Sequence, residues 1–405
     1  MNELGYKALN SIQDNQMELT VQLFQKSVLQ AMSDNEESDA YDVIVSFAQL
    51  GFVEHAIENC EHAYQLWESE DWLLLLAELK VEIDALDEAL EQLLMIPEQS
   101  PLYVNALLMI AEIYQIQGVY EVAQYKLELA KDMMPNEPII DLALATLYQF
   151  MGEHQKALQH YEVVLQQEDE YDMVDIYYKA SKSLIALGEF EEAISYLEKI
   201  DMTNHHSESL FELALSYYQL EEYERALKWF DALLVRDPDY LSAHYYMADV
   251  YTKLKQFDKA KALLRKALKE NPYQAALYIQ LYQIEKDIDV LKEAIVYVPD
   301  DIQVQLLYAH RLKELEDYEE LVAYVEPLLT DEEDSELYWL LAYAYGKLED
   351  DDKAQKYYEY AYPIYQEEIT FLQEYALYLR EIGQRDKAKQ MIAKIKQLDP
   401  LWEIY

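Results

Sequence analysis

The sequence predicts an all-α solenoid of about eleven helix-turn-helix repeats, and three regularities predict it. The first is residues 104–137, VNALLMIAEIYQIQGVYEVAQYKLELAKDMMPNE, where two amphipathic helical patterns are joined at Gly118-Val119-Tyr120 and closed by Pro135. Helical spacing puts Leu107, Ile110, Ala111 and Tyr114 on one face, and Ala123, Leu127 and Ala130 on the facing side of the second helix. The second is the recurrence of that second-helix small residue at Ala56, Ala89, Ala123, Ala157, Ala193, Ala226, Ala260, Leu321, Ala354 and Ala388. Steps are 33 to 36 residues except for one of 61, which holds a shortened unit of 27 between Pro272 and Pro299. The third is punctuation: Gly51, Gly118, Gly152, Gly188 and Gly383 each lie five residues before the marker, where the inter-helix turn needs a permissive backbone. Pro101, Pro135, Pro238, Pro272 and Pro400 each lie twelve residues after it, where proline stops the second helix.

Taken in order, residues 1–36 read as N-terminal capping helices. Met17 to Met32 is one amphipathic helix with Leu19, Leu23, Phe24 and Val28 inward. The acidic turn Asp34 to Asp39 leads into an N-terminal array over residues 37–272, with units beginning near Glu37, Glu70, Val104, Pro138, Val174, Ser207 and Leu241. The shortened repeat, residues 273–300, replaces about two turns with the polar string Glu285 to Asp289 and is a candidate hinge. Units near Asp301, Ser335 and Ile369 fill the C-terminal segment, residues 301–405, which carries the apolar tail Leu401 to Tyr405. That tail either folds back over the final helix or meets a second copy in a homodimer.

The spaced positions resemble the tetratricopeptide repeat family. Leu210, Leu213, Ala214, Tyr217, Tyr223, Ala226, Phe230, Leu233 and Pro238 follow its pattern, with Leu in place of the last Ala, and His244, Met247, Ala248, Tyr251, Phe257, Ala260, Leu264, Ala267 and Pro272 repeat it. The resemblance covers roughly residues 37 to 400; departures are Leu321, the shortened unit, and the absence of the family's first-position Trp. Length and repeat series also resemble a group of cytosolic tetratricopeptide proteins from Gram-positive bacteria. The resemblance implies a right-handed superhelix whose first helices line a concave groove.

Composition narrows the function. A formal net charge of −47 repels nucleic-acid backbones and anionic membranes. The single Cys60 excludes an internal disulfide and reads as a small buried apolar residue. No basic segment followed by an apolar run opens the chain, and the longest apolar run, Trp72 to Ala77, is too short to span a bilayer, so a cytoplasmic location is expected. The eight histidines lack HExxH spacing, and the pair His205-His206 reads as a solvated loop. No two glycines can cradle a phosphate, and Asp331 to Asp334 and Glu349 to Asp352 lack a calcium loop's central glycine and alternation. No catalytic, cofactor or metal set is found, so the expectation is a protein that is not an enzyme.

What remains is binding surface. At the positions that the resemblance assigns to the groove lie Tyr41, Leu74, Leu108, Leu142, Phe150, Tyr178, Phe211, Tyr218, Tyr245, Trp339 and Tyr343. Such a lining suits a protein or peptide partner. Groove charges are uneven: Asp71, Glu78, Glu82 and Glu112 lie early, and Lys253, Lys313, Lys347 and Arg380 late, which would orient a bound segment. The expected function is a non-catalytic interaction scaffold or adaptor. The alternative is a peptide-sensing receptor without a DNA-binding domain.

Overall fold

The computed structural model describes residues 2–13, 17–167, 173–329, 335–400 and 402. These residues form 24 α-helices and one 3-10 helix, with no strand among them, as a helical repeat solenoid. Two compact units divide the chain, at Leu220–Glu221.

The first unit holds α1 (Glu3–Gln13), α2 (Met17–Asp34), α3 (Glu37–Gln49), α4 (Val53–Trp67), α5 (Glu70–Glu82), α6 (Leu86–Leu93), α7 (Tyr103–Ile116), α8 (Tyr120–Met133), α9 (Pro138–Phe150), α10 (His154–Leu165), α11 (Met173–Leu187), α12 (Phe190–Leu197) and α13 (Ser207–Gln219). Within this unit helices pack on their partner in the repeat and on the following repeat, as α7 does on α8 and α9. The marker alanines make this approach possible: Ala56, Ala89, Ala123, Ala157 and Ala193 are all fully buried. Ionic contacts also tie helices together. Buried Lys80 on α5 holds Glu88 on α6 at 3.0 Å and Glu61 on α4 at 3.6 Å. Buried Asp141 on α9 takes Lys131 of α8 at 2.6 Å and His160 of α10 at 2.9 Å.

The second unit holds α14 (Tyr223–Arg236), α15 (Leu241–Lys253), α16 (Phe257–Glu270), α17 (Ala275–Glu285), α18 (Ile288–Tyr297), α19 (Ile302–Glu314), α20 (Tyr318–Val325), the 3-10 turn Glu326–Leu328, α21 (Ser335–Lys347), α22 (Asp351–Tyr365), α23 (Ile369–Glu381) and α24 (Arg385–Leu398). One apolar core runs from Ala248 to Ile395 and includes Leu277, Tyr278, Leu281 and Leu291 of the shortened repeat. That repeat therefore lies within the second unit, while the division between units falls between α13 and α14. Its turn is only Lys286–Asp287, since Glu285 still belongs to α17 and Ile288 and Asp289 already belong to α18.

Two side-chain expectations are corrected. On α2 the buried stripe is Thr20, Phe24, Ser27, Val28 and Ala31, leaving Leu19 exposed and Leu23 half-buried. The stripe steps by four and three from Thr20, so Leu19 lies one residue off it. His205 is buried, with Nδ1 2.9 Å from Ser209 Oγ, and His206 caps α13 by accepting from the Ser209 amide at 3.1 Å. Cys60 is buried as expected, its thiol pushed up to about 12 by desolvation and then by Glu61. Asp350 caps α22, accepting from the Lys353 amide at 3.3 Å. Residues 331–334 and the tail positions 401 and 403–405 lie outside the described residues.

The glycine position in the turn is a backbone requirement, because φ is +75° to +84° at all five glycines. The same register elsewhere carries Asp84, Glu221, Lys255, Glu316 and Glu349, and these also sit at φ of +59° to +61°. The left-handed conformation costs a side-chain-bearing residue roughly 1–2 kcal/mol, partly offset by the entropy a glycine loses on folding. Replacing these five residues with glycine is expected to stabilise the fold by about 0.5 kcal/mol per site. Urea unfolding checks this, and a lowered midpoint would refute it.

Candidate functional site

In the first unit the first-helix faces build a cavity. On α7, Leu107, Ile110 and Ala111 turn into the core, so Leu108, about 100° round the helix, stays half-buried at the surface. On α9, Leu144 and Ala145 are buried and Leu142 is left at the surface in the same way. Leu108 and Leu142, with Met109, Ile139 and Ala143, line an open cavity of about 370 Å³ floored by Leu127 of α8. Glu112, Gln115, Thr146 and Lys179 of α11 supply its polar rim. Lys179 is tied to Asp175 at 2.6 Å, whereas Glu112 forms no ion pair with a described residue. The rim therefore presents one unneutralised carboxylate beside an apolar floor, which suits a bulky apolar side chain next to a cation.

The other expected groove residues of this unit lie outside this cavity. Tyr41 packs on Trp72 at 5.4 Å, and burial, then Glu78 and Asp71, push its phenol up. Leu74 is half-buried on α5. Phe150, 64% exposed at the end of α9, does not line the cavity. Tyr178 meets His206 edge-on at 4.4 Å with Lys182 5.7 Å from its ring centroid, and Phe211 and Tyr218 are half-buried on α13.

In the second unit a network links three consecutive first helices. Lys313 Nζ on α19 donates to both carboxylate oxygens of Glu374 on α23, at 2.8 and 3.1 Å. Trp339 Nε1 on α21 donates to the same carboxylate at 2.6 Å, and Lys313 lies 4.0 Å from the Tyr343 ring centroid. Desolvation, then Tyr318 and Glu374, push the Tyr343 phenol up to about 12. Lys347 approaches the same ring from its own helix, at 5.4 Å. The late cations differ in their pairing. Lys313 is neutralised by Glu374 and Lys253 lies 3.7 Å from Asp249, so Lys347 and Arg380 are the groove cations left without an ion pair among the described residues. Tyr245 is 40% exposed, against Tyr246 at 5.5 Å.

Glu374 was missed in the sequence, as were Met109, Ile139 and Lys179. No repeat position marks Glu374, which falls one residue after Gln373, the position in register with Trp339. Among the described residues no three His, Cys, Asp or Glu are grouped to hold a metal, and no helix is long and apolar enough to cross a membrane.

Comparison with known proteins agrees with this architecture. Residues 336–401 match the model of the YpiA-like, C-terminal tetratricopeptide repeats, residues 115–169 that of the YpiA-like tetratricopeptide repeats, and residues 184–240 and 217–284 a general tetratricopeptide repeat model. The TPR repeat-containing protein YpiA of Bacillus subtilis is 30% identical over 98% of this chain and 96% of its own length. Among solved structures, the C-terminal part of a TPR repeat-containing protein from Cytophaga hutchinsonii is 18% identical, covering 57% of this chain and 97% of that one with a TM-score of 0.49. The structure of Naa15/Naa10 bound to HypK-THB is 16% identical, covering 90% of this chain and 64% of that one with a TM-score of 0.39. Tetratricopeptide arrays are in general protein–protein interaction scaffolds, typically without catalysis. With a full-length relative at this identity and family matches in both units, the chain belongs to the YpiA-like family of tetratricopeptide repeat proteins.

Proposed function

We propose that this protein is a non-catalytic cytoplasmic scaffold or adaptor that binds a segment of a partner protein along its first-helix groove, with an apolar side chain anchored between Leu108 and Leu142 and a neighbouring Lys or Arg facing Glu112. The cavity of about 370 Å³ supports this reading, because first-helix residues supply most of its lining and it joins an apolar floor to one carboxylate without an ion pair among the described residues. Few interface residues supply most of the affinity, and an anchored apolar side chain in a desolvated pocket is the usual kind. A chain of net charge −47 also favours a basic partner in approach.

A displayed random-peptide library tests it. Wild-type protein is expected to enrich sequences with a bulky apolar residue beside Lys or Arg. Leu142→Asp should weaken the winners at least about tenfold, roughly 1.4 kcal/mol, without loss of helicity. Glu112→Lys should shift selection away from basic neighbours. Equal enrichment by wild type and Leu142→Asp would remove the cavity from the function.

A further inference from the structure

The last helix pair carries a second, differently charged surface. In a chain with 79 Asp and Glu against 32 Lys and Arg, α24 reverses the balance, with Arg385, Lys387, Lys389, Lys394 and Lys396 against Asp386 alone. Between α23 and α24 lies a cavity of about 620 Å³, with Leu377, Ala388 and Ile392 as floor and Arg380, Arg385 and Lys389 as rim. Glu381 is the one carboxylate lining it. Leu377 is 55% exposed.

The rim is unusual for its lack of partners. Arg225, Arg265 and Arg311 each grip a carboxylate at 2.5 to 2.8 Å. Arg380 and Arg385 form no ion pair with a described residue, although carboxylates outnumber cations more than two to one. Lys389 has only Asp386 at 3.7 Å, both side chains highly exposed. Guanidinium groups held apart from so many carboxylates are available to carboxylates from outside.

The array itself indicates the shape of the occupant. One repeat earlier, α23 packs against α21 and α22, burying Phe371, Leu372, Tyr375, Ala376 and Leu379. The groove between α23 and α24 has the same helix-pair construction, and ridges of side chains three and four apart fit such grooves. We propose that the groove between α23 and α24 receives an acidic amphipathic helix of a partner protein, whose apolar stripe covers Leu377 and Ile392 and whose carboxylates pair with Arg380 and Arg385. Acidic character is the discriminating feature, since the −47 charge of the chain would otherwise repel such a helix. The surface lies on different helices from the cavity at Leu108 and Leu142, so either reading can fail alone.

The probe is a fluorescent, stapled 16-residue peptide with Leu at i, i+3, i+4 and i+7 and Glu at the exposed positions, compared with a scrambled peptide of the same composition. The amphipathic peptide is expected to bind the full chain at least tenfold more tightly than the scramble, and to weaken as salt rises. Arg380→Glu with Arg385→Glu should remove that preference, and Leu377→Asp should do so independently, while Leu142→Asp leaves it intact. Equal binding of the two peptides, or binding unchanged by both groove variants, overturns the proposal. Two further outcomes also overturn it by naming another occupant. These are a tenfold gain in peptide affinity on deleting residues 401–405, which assigns the groove to the chain's own tail, and a dimer in light scattering that Arg380→Glu with Arg385→Glu dissociates.

Discussion

Trp72→Ala is expected to lower the stability of the first unit by about 3–5 kcal/mol, the range for emptying an aromatic site in a packed core. Trp72 is fully buried on α5, its ring 5.4 Å from Tyr41 and 5.7 Å from Trp67. Its Nε1 donates to Glu37 Oε1 at 2.8 Å, and its carbonyl accepts from Cys60 Sγ at 3.5 Å. Alanine leaves a void that α3, α4 and α5 cannot close, and deprives a half-buried carboxylate of its donor. Trp72→Phe keeps most of the volume and loses the hydrogen bond, so about 1–2 kcal/mol is expected. In a solenoid each repeat leans on its neighbours, so the loss should be local. Hydrogen exchange should show α3 to α5 opening first, with the amides of α19 to α23 keeping their protection. A loss below about 1 kcal/mol, or uniform loss of protection, would contradict this account.

That locality also explains what the sequence could and could not show. Repeat register was legible because Ala123, Gly118 and Pro135 each satisfy a separate physical demand at a fixed spacing, and three coincident rulers leave little freedom. First helices begin within about one residue of the expected starts at Glu37, Glu70, Pro138, Ser207, Leu241 and Ser335. The ruler even identifies turn positions that have no glycine, since Glu221 and Lys255 share the positive φ of Gly118. Side-chain pairing was not legible. The partner of Lys313 is Glu374, 61 residues away, and the burial of Lys80 and Asp141 is set by lateral stacking of helices. Against 79 carboxylates no spacing marks these out. Leu19 failed for a related reason: α2 is packed by α1, α3 and α4, and hydrophobicity alone cannot choose which of two adjacent stripes those neighbours cover.

Raising the pH from 10 to 12 is expected to unfold the protein steeply at temperatures where it is stable at pH 8, and the buried tyrosines cause it. Desolvation pushes Tyr161, Tyr278, Tyr345 and Tyr375 up to about 12. A phenol whose folded value lies above its unfolded value of about 10 adds stability that is complete below pH 10 and lost as pH climbs towards 12. One fully desolvated phenol steepens the loss by up to about 1.4 kcal/mol per pH unit, and the partly exposed Tyr343 contributes less because solvent screens it. Tyr278 gives the cleanest test. Its ring is fully buried and its hydroxyl has no hydrogen-bond partner, so Tyr278→Phe removes an unsatisfied polar atom at nearly constant shape. The variant should be at least as stable as wild type at pH 8 and should lose stability more slowly above pH 10. Lysine deprotonation over the same range weakens both proteins equally, so the difference between their thermal midpoints isolates the phenol. Parallel profiles across pH 8 to 12 would show that the Tyr278 hydroxyl reaches water when it ionises, and that the core of α16 to α19 opens locally at a cost smaller than its packing implies.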